Sequence, residues 1–147
     1  MSGKEKTLVE PSILYWAKRN GFDLSVVDTS AVYNPYAGRY LRKQASESLP
    51  DVIGNFKELS VWIELKAPQK RRSILQSPHQ IAFLERKIKA GCFACVTDSV
   101  EHLSALWSGY LKAEDRVAFL ISDLPRRKSP PLKQQPCHSK SNPETLK

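Results

Sequence analysis

Apolar positions recur along this chain in two rhythms, one helical and one strand-like. Ile13, Leu14 and Ala17 form a stripe at helical spacing that stops at Gly21, and Thr7-Leu8-Val9-Glu10 has the spacing of a capping box. A first helix is therefore expected over about residues 8–20, with Pro11 tolerated because it falls in the first turn. Residues 22–28 fit a strand, whereas residues 29–50 follow neither rhythm and are expected to be irregular or weakly helical. Two apolar runs come next, at about 51–54 and 59–66, joined through Gly54-Asn55-Phe56-Lys57-Glu58 as a hairpin. Ser77 then fits a helix N-cap, Pro78 the first helical position and Gly91 the residue past the end, with Ile81, Leu84 and Ile88 as the buried stripe. A strand near 93–97 and a third helix near 99–112 complete an α-β-β-α-β-α order. That order predicts an α/β fold, a mixed β-sheet flanked by helices.

The 147 residues suffice for one domain with a substantial core. The net charge of +8 is unevenly spread: residues 126–147 hold six Lys or Arg against one Glu, so they carry +5 and residues 1–125 only +3. Half of the ten prolines fall from Pro125 onward, with almost no apolar periodicity. The expected organisation is one domain over 1–125 and a basic, Pro- and Ser-rich disordered tail over 126–147. Such basic charge suits nucleic acid, and it equally suits a merely solvated tail. There is no run of 18 apolar residues and no charged-then-apolar leader pattern, so nothing points to a membrane or to secretion. Cys92 and Cys95 form a C-x-x-C without a second pair, and on a strand they would face opposite ways, which is wrong for sharing a metal. Free thiols fit a reducing, intracellular compartment.

The stretch that carries chemistry is Leu49-Pro50-Asp51-Val52-Ile53-Gly54 followed by Val61-Trp62-Ile63-Glu64-Leu65-Lys66. Alternate residues of a strand share a face, so Glu64 and Lys66 project side by side. An acid and an amine buried there are costly unless they meet a metal, a charge partner or a polar substrate. If Gly54 opposes Leu59, Asp51 opposes Trp62 and lies diagonal to Glu64 on the same face, within reach of one cation. Val52 then shares the other face with Val61, Ile63 and Leu65, a wholly apolar set, and a slip by one residue would destroy both arrangements. Magnesium needs only one or two carboxylates from a protein, which Asp51 and Glu64 can supply. Lys66 could hold or deprotonate the attacking water, or neutralise charge developing on phosphorus; the sequence leaves these roles open.

Together these residues resemble the signature of the PD-(D/E)XK nuclease superfamily, and more narrowly its small stand-alone VRR-NUC-type nucleases. The resemblance covers roughly residues 7–107: an N-terminal helix with Glu10, Pro50-Asp51 before a strand, Glu64-Leu65-Lys66, and Ser77-x-x-Gln80 opening a helix. It departs at Leu49, where members often have Gly. The resemblance implies a PD-(D/E)XK core and a nuclease dependent on Mg2+ or Mn2+, acting on DNA, including branched or flapped DNA. It implies Glu10, Asp51, Glu64 and the Leu65 backbone carbonyl as the metal site, Lys66 as catalytic and Gln80 as an active-site support.

Each of these residues also has a plainer reading. Glu10 and Gln80 both occupy the fourth position of a capping box, Glu64 and Lys66 could be a surface ion pair, and Asp51 could start a turn after Pro50. Rings and cations interleave at Tyr33, Tyr36, Arg39, Tyr40, Arg42 and Lys43, a mixture that suits bases and phosphates or ordinary amphipathic packing. Lys70, Arg71 and Arg72 form a basic loop abutting the carboxylates and are expected to contact nucleic acid as well. His79 fits an exposed first-turn residue, and His102 an exposed helix residue. The leading expectation is a Mg2+-dependent, structure-dependent DNA endonuclease. A Holliday-junction resolvase, which would have to be a homodimer, and a non-catalytic DNA-binding module are the alternatives. Two acids beside a Lys argue against the last, since phosphate binding alone needs cations.

Overall fold

The computed structural model describes residues 8–27, 32–41, 49–71 and 78–126. The expectations for Thr7, Arg42, Lys43, Arg72, Ser77 and the tail from 127 onward fall outside the described residues. The first helix, α1 (Glu10–Arg19), has Pro11 in its first turn and starts after Val9 without a side-chain cap. Ile13 and Ala17 are its buried stripe. Strand β1 (Phe22–Val26) follows, and the segment expected to be irregular instead contains a short antiparallel hairpin of β2 (Val32–Asn34) and β3 (Arg39–Leu41).

Strands β4 (Val52–Phe56) and β5 (Leu59–Leu65) form the expected hairpin, in a register two residues from the expected one. Phe56 pairs with Leu59, Gly54 with Val61 and Val52 with Ile63, because the turn is the tight pair Lys57–Glu58, with Lys57 at φ 52°. The apolar demand of Phe56 accounts for the difference: its ring lies 4.8 Å from Phe22 and 4.9 Å from Trp107, so it is drawn into the ladder rather than left in the loop. A shift of two leaves every side chain on its expected face. Val52, Val61, Ile63 and Leu65 are all buried.

Helix α2 (Pro78–Lys89) leads to β6 (Phe93–Thr97), which pairs parallel with β5, and α3 (Val100–Lys112) and α4 (Arg116–Asp123) complete the order. The main sheet runs β1-β4-β5-β6, antiparallel except for its last pair. Helices α1 and α3 pack on the face of Val61 and Ile63, where Trp107 meets Phe22 at 4.7 Å and Phe93 at 5.2 Å. Helix α2 covers part of the opposite face, with Phe83 edge-on to Trp62 at 5.4 Å and the Lys87 amine 4.4 Å above the same indole. Helix α4, which the apolar pattern did not bring out, is capped by Asp115, whose side chain accepts from Ala118 N–H at 3.0 Å, and buries Leu120. Gly91 ends α2 at φ 95°, with Cys92 N–H closing onto Lys87 O at 3.0 Å. Gly54 has a different reason: a β-carbon there would run into the Asp23 carbonyl on β1. The architecture is α/β, a four-stranded mixed sheet flanked by helices. Among the described residues, no helix is long and apolar enough to cross a membrane.

Candidate functional site

Three segments bring four of the expected site residues together on the α2 face of the sheet. Asp51 sits just before β4, where its carbonyl accepts from Val27 N–H at 2.8 Å and its Oδ2 from Leu65 N–H at 3.0 Å. Continuing the β4–β5 ladder by one pair sets Asp51 directly across from Glu64, closer than the diagonal placement expected. Glu64 is 5% exposed, so it is not half of a surface ion pair. Its Oε1 is 3.3 Å from Lys66 Nζ and 3.3 Å from Gln80 Nε2, which reaches in from the first turn of α2. Strand alternation places Glu64 beside Lys66, the hairpin turn brings in Asp51, and Pro78 starts the helix that presents Gln80.

Burial sets the charge state of this cluster. Burial, reinforced by the neighbouring Asp51 carboxylate, pushes Glu64 from 4.5 up to about 7, with Lys66 pulling the other way. Two carboxylates, Asp51 and Glu64, thus lie close enough for one to raise the other, the donor set a divalent cation would use. Among the described residues, no three His, Cys, Asp or Glu side chains form a metal-holding group, so Glu10 does not join Asp51 and Glu64 in such a set. The two remaining carboxylates still meet what a hard cation with several retained waters asks of a protein. Glu10 is partly buried, and its Oε2 meets no hydrogen-bond partner among the described residues. Val9 supplies no side-chain cap at the start of α1, and Thr7, the partner of Glu10 in the expected capping box, lies outside the described residues.

The expected nucleic-acid residues divide. Tyr36, fully exposed, lies between β2 and β3; Arg39, also exposed, and Tyr40 lie on β3. Lys70 is exposed on the loop after β5. Arg71 is a correction to the expected basic surface: it is 6% exposed, its Nε donates to Val96 O at 2.7 Å, and its Nη2 meets both the carbonyl and the Oδ2 of Asp123, the latter at 2.6 Å. A guanidinium folded inward onto a strand end and a helix end is not presented to a phosphate backbone. His79 is exposed, as expected for the first turn of α2.

His102 departs from the exposed helix residue expected. It is half-buried, with Nδ1 2.8 Å from Thr97 Oγ1 and Nε2 3.3 Å from Asp123 Oδ2. With Gln69, Arg71, Asp98 and Asp123 it lines a cleft of about 360 Å³ at the C-terminal end of β6. The residue types alone gave little signal for this cluster, because Asp123 lies on α4. A second shallow cleft, of about 310 Å³, opens on the sheet face of Trp62 and Ser60. Cys95 is buried, which pushes its thiol up, and neither Cys92 nor Cys95 is in a disulfide. No family model matches the chain, and no curated protein matches it.

Proposed function

We propose that this chain is a metal-dependent DNA nuclease of the PD-(D/E)XK type, similar to the small VRR-NUC nucleases, hydrolysing phosphodiester bonds at Asp51, Glu64 and Lys66. The observation that carries the reading is the convergence of Asp51, Lys66 and Gln80 on one buried carboxylate, Glu64, raised to about 7. The mixed sheet with helices on both faces supports it, because it presents an Asp and a Glu-x-Lys from adjacent strands. Unpaired Cys92 and Cys95 accord with a reducing, intracellular site of action.

Asp51 and Glu64 would hold Mg2+ or Mn2+, which supplies Lewis acidity toward a phosphoryl oxygen and a water of lowered pKa when bound. The chain's own contribution is orientation. Leu65 N–H fixes one oxygen of Asp51, and Gln80 with Lys66 fixes Oε1 of Glu64. Lys66 keeps its ammonium at the carboxylate edge, where it can hold the attacking water and offset charge as it builds on phosphorus. Lys70 and Arg39 are exposed cations suited to contacting the backbone without reading bases. The test is cleavage of labelled duplex, flap and four-way-junction DNA by the full chain, with Mg2+ and with chelator. Mg2+-dependent cleavage of at least one substrate is expected. Binding without cleavage at any Mg2+ or Mn2+ concentration would make the chain a DNA-binding module, and paired cuts confined to the junction by a dimer would make it a resolvase.

A further inference from the structure

The backbone leaves β5 two residues after Glu64 and reverses within a very short span. Lys66 N–H donates to Thr97 O at 2.9 Å, and Lys70 N–H closes onto Ala67 O at 2.9 Å, making Ala67–Lys70 a β-turn. Pro68 takes its first central position, and Gln69, at φ 63°, the second. That second position is the left-handed one which Gly or Asn fills easily in a type II turn. A Gln there is strained, so the turn would relax unless the chain beyond it were held.

Arg71 holds it. Its Nε grips the carbonyl of Val96, the residue opposite Glu64 in the β5–β6 ladder, and its Nη2 grips Asp123 at the end of α4. His102 Nε2 meets the same Asp123 carboxylate at 3.3 Å, and its Nδ1 lies 2.8 Å from the hydroxyl of Thr97, whose carbonyl receives Lys66 N–H. Arg71 N–H also reaches Asp98 Oδ2 at 3.4 Å. A buried ion pair is a poor source of net stability, because desolvation offsets much of the attraction; its rigid fork is better suited to fixing geometry. We propose that Arg71, clamped on Val96 and Asp123, is a positioning residue that holds the strained Ala67–Lys70 turn and thereby sets Lys66 and Glu64 in their working geometry. This rests on the nuclease reading. Arg71 itself touches no substrate.

The test compares Arg71→Lys, and Arg71→Lys combined with Gln69→Gly, in the full chain, with circular dichroism confirming that each is folded at the assay temperature. The substrate is whichever of duplex, flap or four-way-junction DNA the wild type cleaves fastest. Lys keeps the charge but loses the fork, so kcat should fall about 10- to 100-fold, the scale set by displacing reacting groups by about an ångström, with KM within about twofold. Gln69→Gly, which removes the strain, should restore kcat at least about fivefold in that background. Amide exchange across residues 66–71 should also quicken in Arg71→Lys, a readout independent of cleavage. A kcat within about twofold of wild type, a loss confined to KM, or unchanged exchange would overturn the proposal. Wild-type protein that cleaves nothing strikes the nuclease reading instead; the clamp itself then stands or falls on the exchange data.

Discussion

Replacing Glu64 by Gln should make the protein's stability less sensitive to pH, in a definite direction. Glu64 is an acid whose folded value, about 7, lies above its ordinary 4.5, so between those pH values the folded state holds a proton that the unfolded state has released. The stability linked to that proton is fully present below 4.5 and is lost as pH rises through 7. The full rise corresponds to roughly 3 kcal/mol, of which about 2–3 kcal/mol falls between pH 5 and pH 8. Gln cannot titrate, and whatever else it does to packing or to Lys66 is the same at every pH and cancels from the comparison. Urea denaturation in chelator, followed by tryptophan fluorescence at pH 5, 6, 7 and 8, gives the difference between the two proteins. Glu64→Gln should gain about 2 kcal/mol on wild type across this range. A difference constant to within about 0.5 kcal/mol would mean that Glu64 is not the buried, raised acid described here.

Other expectations follow from the same geometry. Lys66→Ala should lower turnover by roughly two to four orders of magnitude while changing DNA affinity little, as single-turnover and filter-binding measurements would show. Gly54→Ala should destabilise the fold by about 2–3 kcal/mol, since the new methyl meets the Asp23 backbone; an unchanged urea midpoint would refute the close β1–β4 approach. Lys70→Ala should weaken binding to all DNA sequences alike and make its salt dependence shallower by about one phosphate's worth of counterion release; a loss restricted to one sequence would contradict a backbone contact.

The face on which each strand residue points was legible because period-two alternation survives an error of two in register. The apolar set Val52, Val61, Ile63 and Leu65 therefore puts Asp51 and Glu64 on one side from the sequence alone. The register itself was not legible, since it depended on Phe56 finding Phe22 and Trp107 across the sheet. Gln80 was placed by helix punctuation at Pro78. The β2–β3 hairpin was written in Val32-Tyr33-Asn34 and Arg39-Tyr40-Leu41 around Pro35 and Gly38, but it is short enough to pass for irregular chain. Helix α4 was not legible, because its eight residues bury only Leu120 and its cap, Asp115, reads as one more surface acid. Arg71 was misplaced because a Lys-Arg-Arg run looks like a solvated basic loop, and only the tertiary return of α4 supplies Asp123 as a half-buried partner.

The most direct test of the account is calorimetric titration of Mn2+ into the full chain near pH 7.5, for wild type and for Asp51→Asn. Wild type should bind a divalent cation, with proton uptake by the buffer as Glu64 gives up the proton it partly retains. Asp51→Asn should lose that binding, and Mg2+-dependent cleavage with it, while remaining folded. Equal Mn2+ affinity in the two proteins, or cleavage by Asp51→Asn at the wild-type rate, would contradict the assignment of Asp51 and Glu64 as the metal-holding pair.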